Sequence, residues 1–121
     1  MQNKIIKSIF GFDYYTPTQE VYDKTNILEI NKLKILEQVK FTYNVKNNNL
    51  KSNTKLSQVS DCHKYSIRSK QHLRTGFYKT ARSQNNPVQN TTIIYKTIPQ
   101  EITNLKNIRK MCHNLQVFLR K

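Results

Sequence analysis

Residues 104–121 read NLKNIRKMCHNLQVFLRK. Leu105, Ile108, Met111, Leu115, Phe118 and Leu119 recur at helical spacing, while Lys106, Arg109, Lys110 and Arg120 take the other side. A helix with one apolar stripe must bury it against another element, so this stretch commits the chain to helical packing. Thr103 or Asn104 can cap its start.

A partner for that stripe lies earlier, in residues 31–46, NKLKILEQVKFTYNVK. Leu33, Leu36, Val39 and Tyr43 trace one face, with Ile35 beside it. Asn31 can cap this helix, and Asn47-Asn48-Asn49 stops it, because asparagine turns well and propagates helix poorly. Further back, Lys4–Phe10 has apolar residues at helical spacing and Gly11 can end it. Thr16 is a candidate cap, Pro17 suits a first helical position, and Glu20 favours the positive end of the dipole. A second short helix therefore ends near Thr25, and Ile27–Ile30 forms a brief apolar entry to the third.

Residues 50–90 show no sustained period and are rich in Ser, Asn, Gln, Lys and Thr. They read as loop or disorder with short extended pieces around Tyr65–Arg68 and Gly76–Thr80. Ile93-Ile94-Tyr95, after Thr91 and Thr92, reads as a strand or a buried turn. Ile98 precedes Pro99 and should be extended, and Pro99 opens a helical turn with Gln100, Glu101 and Ile102. The expected class is mainly α: a small helical fragment with a long irregular, partly disordered middle segment. Its regions are residues 1–49 (short helices plus the amphipathic helix), 50–90 (basic loop or disordered linker) and 91–121 (Ile-Pro turn and basic terminal amphipathic helix).

The 121 residues carry a net charge of +14, are 36 % hydrophobic, and have a mean hydropathy of −0.74. One thin domain is the most this supports. An excess of positive charge repels itself and calls for an anionic partner, RNA or DNA first. Lys, Asn and Ile dominate, and AT-rich coding favours all three, so base composition is the rival explanation. The distribution favours binding. Residues 62–121 contain one acid, Glu101, against twelve Lys or Arg, while the other six acids lie in residues 1–61. Within the second half, Lys64, Arg68, Lys70, Arg74, Lys79 and Arg82 interleave with Phe77 and Tyr78, and Arg109 and Lys110 add charge on the last helix. Cations neutralise phosphates, and rings stack on unpaired bases. These ten residues are the candidate nucleic-acid contacts.

Catalytic patterns are missing. Only Gly11 and Gly76 are present, so no phosphate-cradling glycine loop can form. The acids are scattered singly, without the paired carboxylates of a two-metal site. Cys62-His63 and Cys112-His113 supply zinc-type ligands, but adjacent Cys and His seldom chelate one ion together, so no metal site is expected. No cofactor, small-molecule substrate or membrane span is expected either, and two cysteines without a signal peptide suit an intracellular setting, nuclear or cytoplasmic.

Two blocks give the chain a family resemblance. The first is Phe10-Gly11-Phe12-Asp13-Tyr14-Tyr15-Thr16-Pro17-Thr18, then Ile27-Leu28-Glu29-Ile30, then Phe41-Thr42-Tyr43-Asn44-Val45-Lys46-Asn47-Asn48. The second is Tyr65-Ser66-Ile67-Arg68, then Tyr95-Lys96-Thr97-Ile98-Pro99-Gln100-Glu101-Ile102, then the terminal helix. In this order they resemble the tail that follows the polymerase domain in jockey-like non-LTR retrotransposon reverse transcriptases. Tyr95, Lys96 and Ile98 stand where that family has Trp, Asn and Leu, as in a diverged copy. The resemblance implies a truncated, non-catalytic remnant of an RNA-directed DNA polymerase, with the polymerase portion as a further partner. The alternatives are an independent small basic nucleic-acid-binding protein and a non-functional relic.

Overall fold

The structure is a computed structural model that describes residues 1–51, 56–77 and 79–121. It is mainly helical. Helices α1 (Gln2–Phe10), α2 (Thr18–Thr25) and α3 (Ile30–Lys46) occupy the first part. A 3-10 turn, Val59–Asp61, precedes α4 (Ala81–Gln84), α5 (Pro87–Thr97), α6 (Gln100–Thr103) and α7 (Ile108–Arg120). The only β pairing among the described residues is one antiparallel bridge, Gln58 with Leu73.

Helix α3 is the centre of the packing: α5 and α7 both rest on it, α6 lies against α7, and α1 pairs with α2. Leu36, Val39 and Tyr43 on α3, Tyr95 on α5, Ile98 after it, and Met111 and Leu115 on α7 form one buried cluster with Leu28 and Leu73. Val39, Met111 and Leu115 are wholly shielded from solvent. Burying such side chains contributes about 1.5–3 kcal/mol each. Leu33 faces solvent instead of joining this stripe, and Ile35 packs on its edge.

Beside its aliphatic residues the core takes in threonine. Thr42, Thr91, Thr92 and Thr103 are buried. Their hydroxyls return to carbonyls of their own helices: Thr42 donates to Gln38 O at 2.9 Å, Thr91 and Thr92 both donate to Val88 O at 2.9 and 2.8 Å, and Thr103 to Gln100 O at 3.3 Å. A hydroxyl satisfied in this way escapes the penalty of an unpaired buried polar group and leaves its methyl to pack.

Several local expectations change. Residues 93–95 belong to helix α5 rather than to a strand or turn, and α5 runs across residue 90 from Asn86, whose side chain accepts from Val88 N, with Pro87 at the first position. The terminal helix starts at Ile108, not at residue 104. Asn107 caps it by accepting from Arg109 N at 2.9 Å, and Leu105 lies in the preceding turn. Pro17 itself occupies the cap position of α2, and Glu29 that of α3, so neither Thr16 nor Asn31 caps. Gly11 ends α1 in the left-handed region at φ 69°, Asn48 takes φ 56° in the asparagine stop, and Ile98 is extended before Pro99.

The α1–α2 hairpin has its own small core of Ile6 and Val21. The Gln2 side chain ties it to the rest. Its amide donates to Leu28 O at 3.2 Å and accepts from Ile30 N at 2.9 Å and from the Tyr22 hydroxyl at 3.2 Å. One side chain thus satisfies an amide at the start of α3. From the far end of the chain, Arg120 donates to Asn26 O at 2.9 Å.

Two tyrosines in the main core have opposite polar status. Tyr43 donates to Leu105 O at 2.6 Å, pinning the α6–α7 turn to α3. The Tyr95 hydroxyl is buried and makes no hydrogen bond of good geometry among the described residues; burial raises its phenol above 10.0, the nearby Thr103 side chain opposing and Tyr43 reinforcing the shift. We expect Tyr43→Phe to lower stability by about 1–2 kcal/mol, since it strands a carbonyl, and Tyr95→Phe to be neutral or stabilising. The Tyr95 contribution is intact below the ordinary phenol pKa of 10.0 and is lost as pH rises past the raised one. Wild-type stability should therefore fall more steeply above pH 10.0 than that of Tyr95→Phe. Urea unfolding of the two variants across pH checks both statements.

Candidate nucleic-acid interface

The basic middle segment is attached to the helices more firmly than its composition implies. Leu73, the apolar residue in a polar run, is buried in the main core with Leu56 packed against it. Around it the backbone closes a loop. Val59 N donates to His72 O at 2.9 Å, Arg74 N to Ser57 O at 2.8 Å, and Ser60 N to Lys70 O at 3.1 Å. Asp61 caps the 3-10 turn by accepting from Gln58 N at 2.8 Å.

Side chains from α5 and α6 hold the far end of the loop. The Gln89 amide accepts from Gly76 N at 3.2 Å and donates to Gly76 O at 2.9 Å, so it pairs with that residue much as a neighbouring strand would. Lys96 donates to Thr75 Oγ1 at 3.3 Å. His72 Nε2 lies 3.0 Å from the Gln100 amide nitrogen.

Of the candidate contacts, Lys64, Arg68, Lys70 and Arg74 share this closed loop, and all four are exposed. Arg74 also braces it, its guanidinium donating to Cys62 Sγ at 3.1 Å. Phe77 is 92 % exposed just beyond the Gly76 clamp, and Tyr65 is 82 % exposed on the loop itself. Exposed rings beside cations suit stacking on unpaired bases. Lys79 precedes α4, Arg82 lies on α4, and Arg109 and Lys110 lie in the first turn of α7. No hydrogen bond among the described residues joins these four to the loop. Tyr78 lies outside the described residues.

Glu20 and Glu37 are held in the first half, and Asp61 caps the loop's own 3-10 turn. The ion pairs among the described residues are Lys24–Glu20 and Lys40–Glu37, both in the first half, so the loop cations meet no carboxylate partner there. Cys62 and Cys112 are free thiols, and burial raises the Cys112 thiol, Lys40 opposing and Glu37 reinforcing the shift. That disfavours the thiolate a nucleophile or metal ligand needs. No group of three or more His, Cys, Asp or Glu is gathered for a metal ion among the described residues. No described helix is long and apolar enough to cross a membrane.

Sequence reasoning missed a second group of cations. Lys46 at the end of α3 places its ammonium 5.6 Å above the Tyr95 ring, a cation–π contact, and Lys96 on α5 lines the same hollow as Lys46. Gln89 was equally invisible: nothing in a polar run marks one glutamine as a clamp.

No protein-family model matches the chain, and no curated protein or solved structure matches it significantly.

The loop's attachment through Leu73 has a direct consequence. Leu73→Ala should cost about 2–4 kcal/mol, as for a leucine in a packed core. Arg74→Ala, losing an exposed contact to sulfur, should cost within about 0.5 kcal/mol. Urea midpoints measure both, and an unchanged midpoint for Leu73→Ala would show that the loop is not part of the core.

Proposed function

We propose that the chain is a non-catalytic nucleic-acid-contacting module, similar to the segment downstream of the polymerase domain in jockey-like non-LTR reverse transcriptases. The observation that carries this reading is the docked loop. Lys64, Arg68, Lys70 and Arg74 project from a segment fixed to the helical core by Leu73 and Gln89, and they meet no carboxylate among the described residues. Fixing the backbone beforehand reduces the ordering cost when cations engage phosphates. Contacts of this kind position the protein on the polyanion and carry no sequence information. Phe77 and Tyr65 would add stacking on single strands, which tolerates any base. In this role the chain holds template, primer or element RNA, while chemistry belongs to a separate polymerase portion.

A second reading, an independent small basic binding protein, draws on the core itself. Met111, Leu115 and Val39 are fully enclosed by this chain's own helices.

Site-specific binding and mere basicity separate in a salt series. On single-stranded oligonucleotide the log–log slope of affinity against salt is about −0.7 per neutralised phosphate, and about −0.9 on duplex. Charge removal at Arg68, Arg74 and Arg82 should flatten the slope. Equal removal at Lys4, Lys7 and Lys24, in the half that holds six acids, should alter it much less. Indistinguishable slopes for the two triple variants would mean that only total charge counts, the behaviour of a relic whose basicity follows base composition.

A further inference from the structure

Away from the loop's exposed side, two adjoining hollows meet where the end of α3, the end of α5 and the α6 turn converge. One is lined by Lys46, Lys96, His72, Gln100 and the Tyr95 ring, among others. The other is lined by Lys46 and Lys106 with Asn47 and Asn49. They share Lys46, Thr103 and Asn104, so they adjoin along that wall as a two-part cleft. Neither hollow has an Asp or Glu in its lining. Lys46 and Lys96 line the first hollow and Lys46 and Lys106 the second, beside polar groups that are amides, an imidazole and hydroxyls.

Two of the three cations have a fixed neighbour. The Tyr95 ring fixes Lys46, and the Thr75 hydroxyl fixes the Lys96 ammonium. The Gln100–His72 contact sets one lip of the cleft. Like charges gathered about a concavity repel each other, and an anion at the centre relieves that repulsion. Ammonium and amide donors without competing carboxylates match the acceptor oxygens of a phosphate, and charge-assisted bonds to it are the strong kind.

We propose that this cleft is a phosphate-binding site, with Lys46, Lys96 and Lys106 as its cations and the Asn104 and Gln100 side chains as neutral donors. The phosphate is either a nucleic-acid backbone group or a small free phosphate. The inference does not rest on the loop's role: Arg68, Arg74 and Arg82 can fail the salt-series comparison while the cleft still binds phosphate.

The test follows backbone amides of the full chain by NMR at low salt during titration with inorganic phosphate, then with a short single-stranded oligonucleotide. Saturable shifts at Lys46, Lys96 and Asn104 are expected, and Lys96→Gln with Lys106→Gln should weaken phosphate binding about tenfold. Lys32→Gln with Lys34→Gln removes the same charge from α3 outside the cleft and should leave the affinity within about twofold. Both lysines chosen for the cleft variant are exposed, so the fold survives their loss, and an unchanged spectrum away from the cleft verifies it. Oligonucleotide that shifts the same amides and competes with inorganic phosphate supports a backbone source. Shifts with inorganic phosphate alone support a small ligand. Non-saturating shifts spread over all lysines, or equal affinity in the two double variants, would overturn the site.

Discussion

Leucine 73 sits in a run of lysine, glutamine, histidine and arginine, yet its side chain is buried among α3, α5 and α7 residues. That insertion joins the polar middle of the chain to the helices. Once Leu73 is in place, the bridge to Gln58, the Gln89 clamp on Gly76 and the Lys96–Thr75 contact all fall within reach. Without it the loop would have only exposed hydrogen bonds to hold it, each a small net contribution in water, about 0.5–1.5 kcal/mol. Fixed backbone and exposed cations without a carboxylate partner among the described residues then occur together.

Threonine and tyrosine shape the rest of the packing beside the aliphatic residues. Buried threonines bonded to their own helices let α3 and α5 meet through small side chains, and Tyr43 and Tyr95 add buried bulk. Tyr43 anchors a turn through its hydroxyl, whereas that of Tyr95 makes no hydrogen bond of good geometry among the described residues. The Tyr95 ring instead carries the Lys46 ammonium on its face, so one residue serves both the core and the cleft.

The helices with aliphatic stripes were legible in the sequence. Leu36, Val39 and Tyr43 on α3, and Ile108, Met111 and Leu115 on α7, follow the helical period, and Gly11 and Pro99 mark boundaries by their backbone restrictions. Helix α5 was not legible, because its buried face is Thr91, Thr92 and Tyr95 and its Thr-Thr-Ile-Ile run has the composition of a strand. The start of α7 was misplaced because Leu105 continues the apolar period, while the cap is set by Asn107. The loop cations could be named from charge pattern, but their fixation could not, since it rests on one leucine and one glutamine. The cleft was beyond reach of the sequence. Lys46, Lys96 and Lys106 come from separate elements, and only the folded chain brings them together.

Native-state hydrogen exchange tests most directly whether loop and helices form one cooperative unit. The informative pair is the Arg74 amide, bonded to Ser57 O in the loop, and the Leu115 amide in the middle of α7. If Leu73 ties the loop into the core, the two amides exchange with opening free energies within about 1 kcal/mol of each other, near the global unfolding value. Exchange at Arg74 close to the rate of a free peptide, with Leu115 still protected, would contradict a fixed loop and remove the basis for treating its cations as a preorganised surface.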